Sequence, residues 1–282
     1  MVLRNAVLSA AVLGLALVSA ASGLAQAADP AVPSALIAAI RAGDASAVKH
    51  QLADKADVKS VDANGLAPLA IAADAGHVAI SQALIDAGAD VNRAAPDGRT
   101  PLMLAAAKGH GAIVRRLLKA GAKPGPTGPD GQSALSLAVA GCHDATLTSL
   151  LAAGAVPLAK AGAEVGILTA AVEHCGLDMV KDLIVAGTDL GENTANGNSP
   201  LMLAVSSHQN DIAQLLIASG APLDLRNKLG YSVLMLAAER GDTALVAALI
   251  AKGADTSLRN DKRETARDIA TAAGAADLAA RL

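Results

Sequence analysis

The chain has 282 residues, 52% of them hydrophobic and 17% charged, with a formal net charge of −3 and a mean hydropathy of +0.41. That charge excludes nucleic acid as a partner, because phosphate binding needs a net basic face. The hydropathy exceeds that of an average soluble domain for two reasons: an apolar N-terminal segment, and a body rich in alanine that has no Phe or Trp and only one Tyr.

In chain order, Met1-Val2-Leu3-Arg4 leads into an apolar run from Ala6 to Val18, then Leu24-Ala25-Gln26-Ala27. One positive charge, an apolar stretch and an Ala-x-Ala exit predict a secretory signal peptide over residues 1–27, cleaved after Ala27. A bilayer span needs about 20 apolar residues, and Ser9, Ser19 and Ser22 interrupt this run. Residues 28–33 are expected to be a linker. Cleavage removes Arg4 and no acid, leaving a mature chain of net charge −4. No later segment is long enough to span a membrane. The bacterial style of the leader predicts a periplasmic protein, and a monomer is expected.

From Ser34 onward the sequence is periodic. The first unit has Leu36, Ile37, Gly43, Val48 and Leu52 in register, while Lys49, His50, Gln51, Asp54 and Lys55 supply the polar outer face that a terminal unit of a stack requires. Gly88, Gly121, Gly154, Gly187, Gly220 and Gly253 then recur every 33 residues, as do Leu69, Leu102, Leu135, Leu168, Leu201 and Leu234. A third series, Gly65, Gly98, Gly131, Gly197 and Gly230, has Glu164 at its missing place. The last unit begins near Thr265, with Ile269, Ala270 and Gly274 in register. Six internal units and two caps follow over residues 34–282, about eight in all. Pro68, Pro101 and Pro200 stand where a helix begins, since proline there has its φ already set and no amide to leave unpaired. The Gly88 series follows Leu-Leu or Leu-Ile pairs, where a helix ends in a left-handed residue. Spacings such as Leu102, Ala105, Ala106 and Val114, Leu117, Leu118 put apolar side chains on one helical face.

Thr100-Pro101-Leu102-Met103-Leu104-Ala105-Ala106, followed by Gly109-His110, Leu117-Leu118 and Gly121-Ala122, resembles the ankyrin repeat, and Asp62 to Asn92 is similar. The resemblance covers about residues 34–282. It implies an all-α ankyrin-repeat solenoid of paired antiparallel helices with short β-turn fingers. The family's His after Thr-Pro-Leu is replaced throughout by Ala70, Met103, Ser136, Thr169, Met202 and Met235, which puts one intra-repeat hydrogen bond in doubt. His77, His110 and His143 match the family's turn histidine, expected to bond within its own repeat.

Cys142 and Cys175 hold one register position in adjacent repeats, where Gly76, Gly109 and Gly241 stand elsewhere. Glycine there suggests a left-handed backbone, which costs a residue with a side chain roughly 1–2 kcal/mol. In an oxidising compartment a disulfide is the compensation. Stacked helices about 8–10 Å apart argue instead for two buried thiols, because a disulfide needs Cα atoms within about 7 Å. The divergent stretch Ala163-Glu164-Val165-Gly166-Ile167-Leu168 between them allows a local pinch. Cys142-His143 and His174-Cys175 also spell two Cys and two His, but without the short Cys-x2-Cys spacing of a zinc site; no metal and no cofactor are expected.

No Gly-x-Ser-x-Gly, phosphate-cradling loop or His-Glu-x-x-His is present, so a non-catalytic protein is expected. The resemblance implies a partner protein held by finger tips and by exposed positions of the first helix in each unit. By register these include Asp97, Arg99, Lys108, Tyr231, Glu239 and Arg240. Interfaces concentrate energy in Tyr and Arg, which singles out Tyr231, Arg240 and Arg99; the alternative for Tyr231 is packing on its own repeat. The expected function is a periplasmic protein-interaction scaffold for an unidentified protein. The alternative is an immunity or stress-protection partner that masks one exported enzyme.

Overall fold

The computed structural model describes residues 34–125, 127–128, 130–157 and 166–282. The leader 1–27, the linker 28–33 and residues 163–165 of the divergent stretch lie outside the described residues. Within them, sixteen helices form eight pairs. The pairs are α1 (Ala35–Arg41) with α2 (Ala45–Ala53), α3 (Pro68–Asp74) with α4 (Val78–Asp86), α5 (Pro101–Ala107) with α6 (Gly111–Lys119), and α7 (Ala134–Ala140) with α8 (Asp144–Ala152). They continue with α9 (Ile167–His174) and α10 (Leu177–Val185), α11 (Pro200–Ser206) and α12 (Asn210–Ala218), α13 (Val233–Glu239) and α14 (Thr243–Ala251), then α15 (Ala266–Ala272) and α16 (Ala276–Ala279).

None of these helices exceeds nine residues, and an isolated helix that short is not stable in water. Local signals therefore set only the ends. Ser34, Thr100, Ser133, Ser199, Ser232 and Thr265 each accept a hydrogen bond from the amide three residues on, satisfying a donor that a helix start leaves open. Pro68, Pro101 and Pro200 occupy the first turn. The second helices of the six internal repeats end on left-handed glycines, for example Gly121 at φ +90°, whereas α2 ends on Lys55 at φ +58°.

Burial supplies the rest. First helices stack on first helices throughout, and second on second from α2 to α14, each touching the next pair along the chain. One continuous core results, from Leu36 and Ile37 at one end to Leu278 at the other. Ala72, Ala73, Ala105, Ala106, Ala237 and Ala238 are fully or almost fully buried, and side chains this small let neighbouring helices approach closely. At the place of the family's histidine, Met103, Met202 and Met235 are buried. With the buried Ala70, four of the six positions thus hold an apolar side chain.

The fingers are tight turns, with one isolated bridge, Thr127 to Ser133, and no strand among the described residues. In each, one residue's amide donates to the carbonyl four positions on and its carbonyl accepts from the amide three positions on, as at Ala95, Asn227 and Asn260. The closing residue is left-handed. It is glycine in most fingers but Arg263, at φ +66°, in the last.

Candidate protein-binding surface

The joints between repeats fix how the surface is presented. His110 Nε2 lies 3.1 Å from the Asp74 carbonyl oxygen and His143 Nε2 3.3 Å from that of Ala107. These histidines therefore bond the preceding repeat, not their own. The reason is that the last carbonyls of each first helix lack intrahelical donors, and the next repeat's turn is nearest. Further along, Gln209 Nε2 donates to the Val172 carbonyl at 2.9 Å. Arg240 Nη1 donates to the Val205 carbonyl, and its Nη2 lies 2.7 Å from His208 Nδ1. The histidines also explain the glycines before them. A Cβ at Gly76 would fall 2.6 Å from His110, and one at Gly109 2.5 Å from His143.

Cys142 and Cys175 are joined by a disulfide, their Cα atoms 5.3 Å apart. The spacing of parallel stacked helices argued for a wider gap, and a changed turn closes it. Helix α9 runs one residue longer than the other first helices, and Cys175 is extended, with φ −112° and ψ −173°. Only Cys142, at φ +52°, is left-handed, so the expectation of two strained cysteines is corrected to one. Gly176 stands where His77, His110 and His143 stand in the preceding repeats, so no ring reaches back across this joint. With both sulfurs bridged, neither is a thiolate that binds zinc, and among the described residues no group of three His, Cys, Asp or Glu is placed to hold a metal.

Glu192 is a site residue that the sequence reading missed. Gly166 cannot cap α9 with a side chain, and the Glu192 carboxylate reaches over from the following repeat, its Oε1 accepting from the Thr169 amide at 2.5 Å. A Cβ at Gly166 would overlap that carboxylate at 2.1 Å. Glu192 is 8% exposed, and its Oε2 and the Thr169 hydroxyl have no hydrogen-bond partner. Burial pushes its carboxyl above the ordinary value, outweighing the hydrogen bonds from Thr169, and the Asp189 charge adds to the rise. An isolated acid at a single register position offers no periodic signal by which to find it.

The finger tips form a row. Asn64, Asp97, Asp130, Asn196, Leu229 and Lys262 hold one register position and all are exposed. Arg99 is exposed and committed to its own finger, its Nη2 2.6 Å from Asp97 Oδ2, and that hydrogen-bonded guanidinium holds the Asp97 carboxyl below its usual range. The pair edges a cavity of about 240 Å3 whose other walls include Asp130, Gln132, Met103 and Leu137. Lys108 and Glu239 are exposed at the ends of α5 and α13. Tyr231 is half-buried against the core, and Arg240 is spent on the joint described above. The six residues do not meet. Asp97, Arg99 and Lys108 belong to the third repeat and Tyr231, Glu239 and Arg240 to the seventh, roughly 30–40 Å away at the spacing of stacked helices.

No curated protein matches the chain. Among solved structures, the ankyrin repeat domain of Bcl-3, described as a unique member of the IkappaB protein family, is 29% identical with a TM-score of 0.65, covering 76% of this chain and 98% of its own. The human ASB11 ankyrin repeat domain is 25% identical over 88% of this chain and 97% of its own, at a TM-score of 0.45; the fold assignment rests on the former. The family model described as Ankyrin repeats (3 copies) matches residues 17–95, 36–128, 94–161 and 168–279. Agreement in period, joints and family model over most of its length means that the chain belongs to the ankyrin-repeat family.

Proposed function

We propose that this chain is a non-catalytic scaffold, exported to the bacterial periplasm, that holds a partner protein across its finger tips and the exposed ends of its first helices. Ankyrin-repeat domains are typically binding modules that carry out protein–protein interaction rather than catalysis. The observation that carries the reading to this chain is the row of six exposed tips on a fully stacked core. Leu229, 67% exposed, is the one apolar side chain in it, and the half-buried Tyr231 belongs to the same finger. Complexes of this kind concentrate their energy in a few such anchors.

The test is affinity capture from a periplasmic extract by the wild-type chain and by Leu229→Asp and Tyr231→Ala variants. Loss of the captured protein with an unchanged melting temperature supports the reading; equal capture by all three sinks it. One stoichiometric partner would favour masking of a single exported enzyme, and several would favour a scaffold. Export has its own check: the intact mass of the protein from osmotic-shock fluid should correspond to a chain beginning at Ala28.

A further inference from the structure

Charge is segregated along the solenoid. From Arg93 to Lys123 seven Lys and Arg stand against one acid, Asp97, whereas residues 124–224 carry two basic side chains against ten acidic ones. The basic stretch centres on α6. Ile113, Val114 and Leu117 face the core, so Ala112, Arg115, Arg116 and Lys119, at spacings of three and four residues, form the opposite stripe. The three cations of that stripe are exposed, and among the described residues none of them is in an ion pair. Only Arg116 has a polar partner, the Gln82 side-chain oxygen.

A groove flanks the ridge on each side. Between α4 and α6 it holds about 580 Å3, its walls including Ile85 and Ala112 but also Gln82 and the acid Asp86, whose carboxylate accepts from Gln82. Between α6 and α8 it holds about 610 Å3, with Leu118, Ala145 and Ala152. Arg115 lines both. The helix dipole rewards a cation in a last turn, but the last turns of α4, α8, α10, α12 and α14 have none. The fold does not require these side chains.

We infer that the Arg115–Arg116–Lys119 ridge of α6, with the mainly apolar groove between α6 and α8, docks a short acidic segment of a partner protein, its carboxylates on the cations and its small aliphatic side chains in that groove. Charge complementarity selects the occupant and its size. The ridge is one helix wide, and Asp144, Asp178 and Asp182 begin on the next second helices. A duplex or an anionic bilayer extends past the ridge onto those acids, within the screening length of about 8–10 Å. The single tyrosine lies in the seventh repeat, so the ridge has no platform on which bases stack. This surface lies on the second-helix layer and is independent of the finger-tip reading.

The experiment measures fluorescence anisotropy of a labelled peptide in which glutamates alternate with alanine and leucine, titrated with the full mature chain. Saturable binding that weakens with added salt is expected. Arg115→Glu, Arg116→Glu, Lys119→Glu together should weaken it at least about tenfold, and the three changes to Gln, which keep helix propensity, should give an intermediate loss. Lys49→Glu, Lys252→Glu, Arg267→Glu together, an equal charge change elsewhere, should leave it within about twofold. Absent binding, equal loss in both reversal sets, or tighter binding of a single-stranded oligonucleotide or a phosphatidylserine vesicle through the ridge overturns the inference. Equal capture by the wild-type chain and its finger variants, with peptide binding intact, overturns the scaffold reading alone.

Discussion

The joint between the third and fourth repeats and the joint between the fourth and fifth occupy the same register, yet they are held by different chemistry. In the first, left-handed Gly109 makes room for His143, whose ring bonds the Ala107 carbonyl. In the second, Gly176 has no ring to offer, α9 is one residue longer, and the Cys142–Cys175 bridge spans the turn. The repeat that departs from the pattern also lacks a capping side chain at Gly166, and Glu192 of the next repeat supplies one. A solenoid is stabilised by intrinsic repeat terms and nearest-neighbour interfaces. A repeat weak in the first is here reinforced in the second, by a covalent link on one side and a carboxylate on the other.

Breaking the bridge should give the largest effect. Cys142→Ser with Cys175→Ser should cost about 2–4 kcal/mol, lowering the melting temperature by roughly 5–15 °C and leaving mass unchanged by reductant; a melting temperature equal to wild type would show that the altered turn holds without it. Cys142→Gly with Cys175→Ser sharpens the point. Glycine accepts the φ of +52° at position 142, and this pair should recover about 1 kcal/mol of the loss.

At the histidine joint, His143→Ala removes one inter-repeat hydrogen bond and should cost about 1–2 kcal/mol in urea unfolding. Glu192→Gln works in the opposite direction. Its folded carboxyl titrates above the ordinary value of 4.5, so the native state binds the extra proton, and stability falls as pH rises from about there through the raised value. Gln keeps an acceptor for the Thr169 amide and removes the buried charge. The variant should melt about 2–4 °C higher than wild type at neutral pH, with the difference shrinking in acid. A difference independent of pH would mean that the carboxylate is not the cost. The smallest change belongs to Arg263→Gly, which should gain under about 1 kcal/mol by relieving a left-handed side chain, read as a small rise in urea midpoint.

The helix starts and stops were legible because each rests on a residue with a local constraint: Pro101 with its fixed φ, Gly121 closing the turn. Tyr231 and Arg240 were legible as register positions but not as roles. Register says which side chains recur at a place and not what they touch, so Arg240 proved to be a joint and Tyr231 half-buried. The α6 ridge was not singled out in the sequence, because a run of cations acquires meaning only from the neighbouring helices, which offer it no ion pair.

Period alone determined that this chain stacks two-helix units, since no unit buries its own apolar face and each must meet the next. Tertiary structure decided how each joint is made. The bonds from His143 to Ala107, from Glu192 to Thr169 and between Cys142 and Cys175 all link residues more than 20 positions apart. Their geometry depends on one extra residue in α9 and on absent side chains at Gly166 and Gly176, which a repeat pattern averages away.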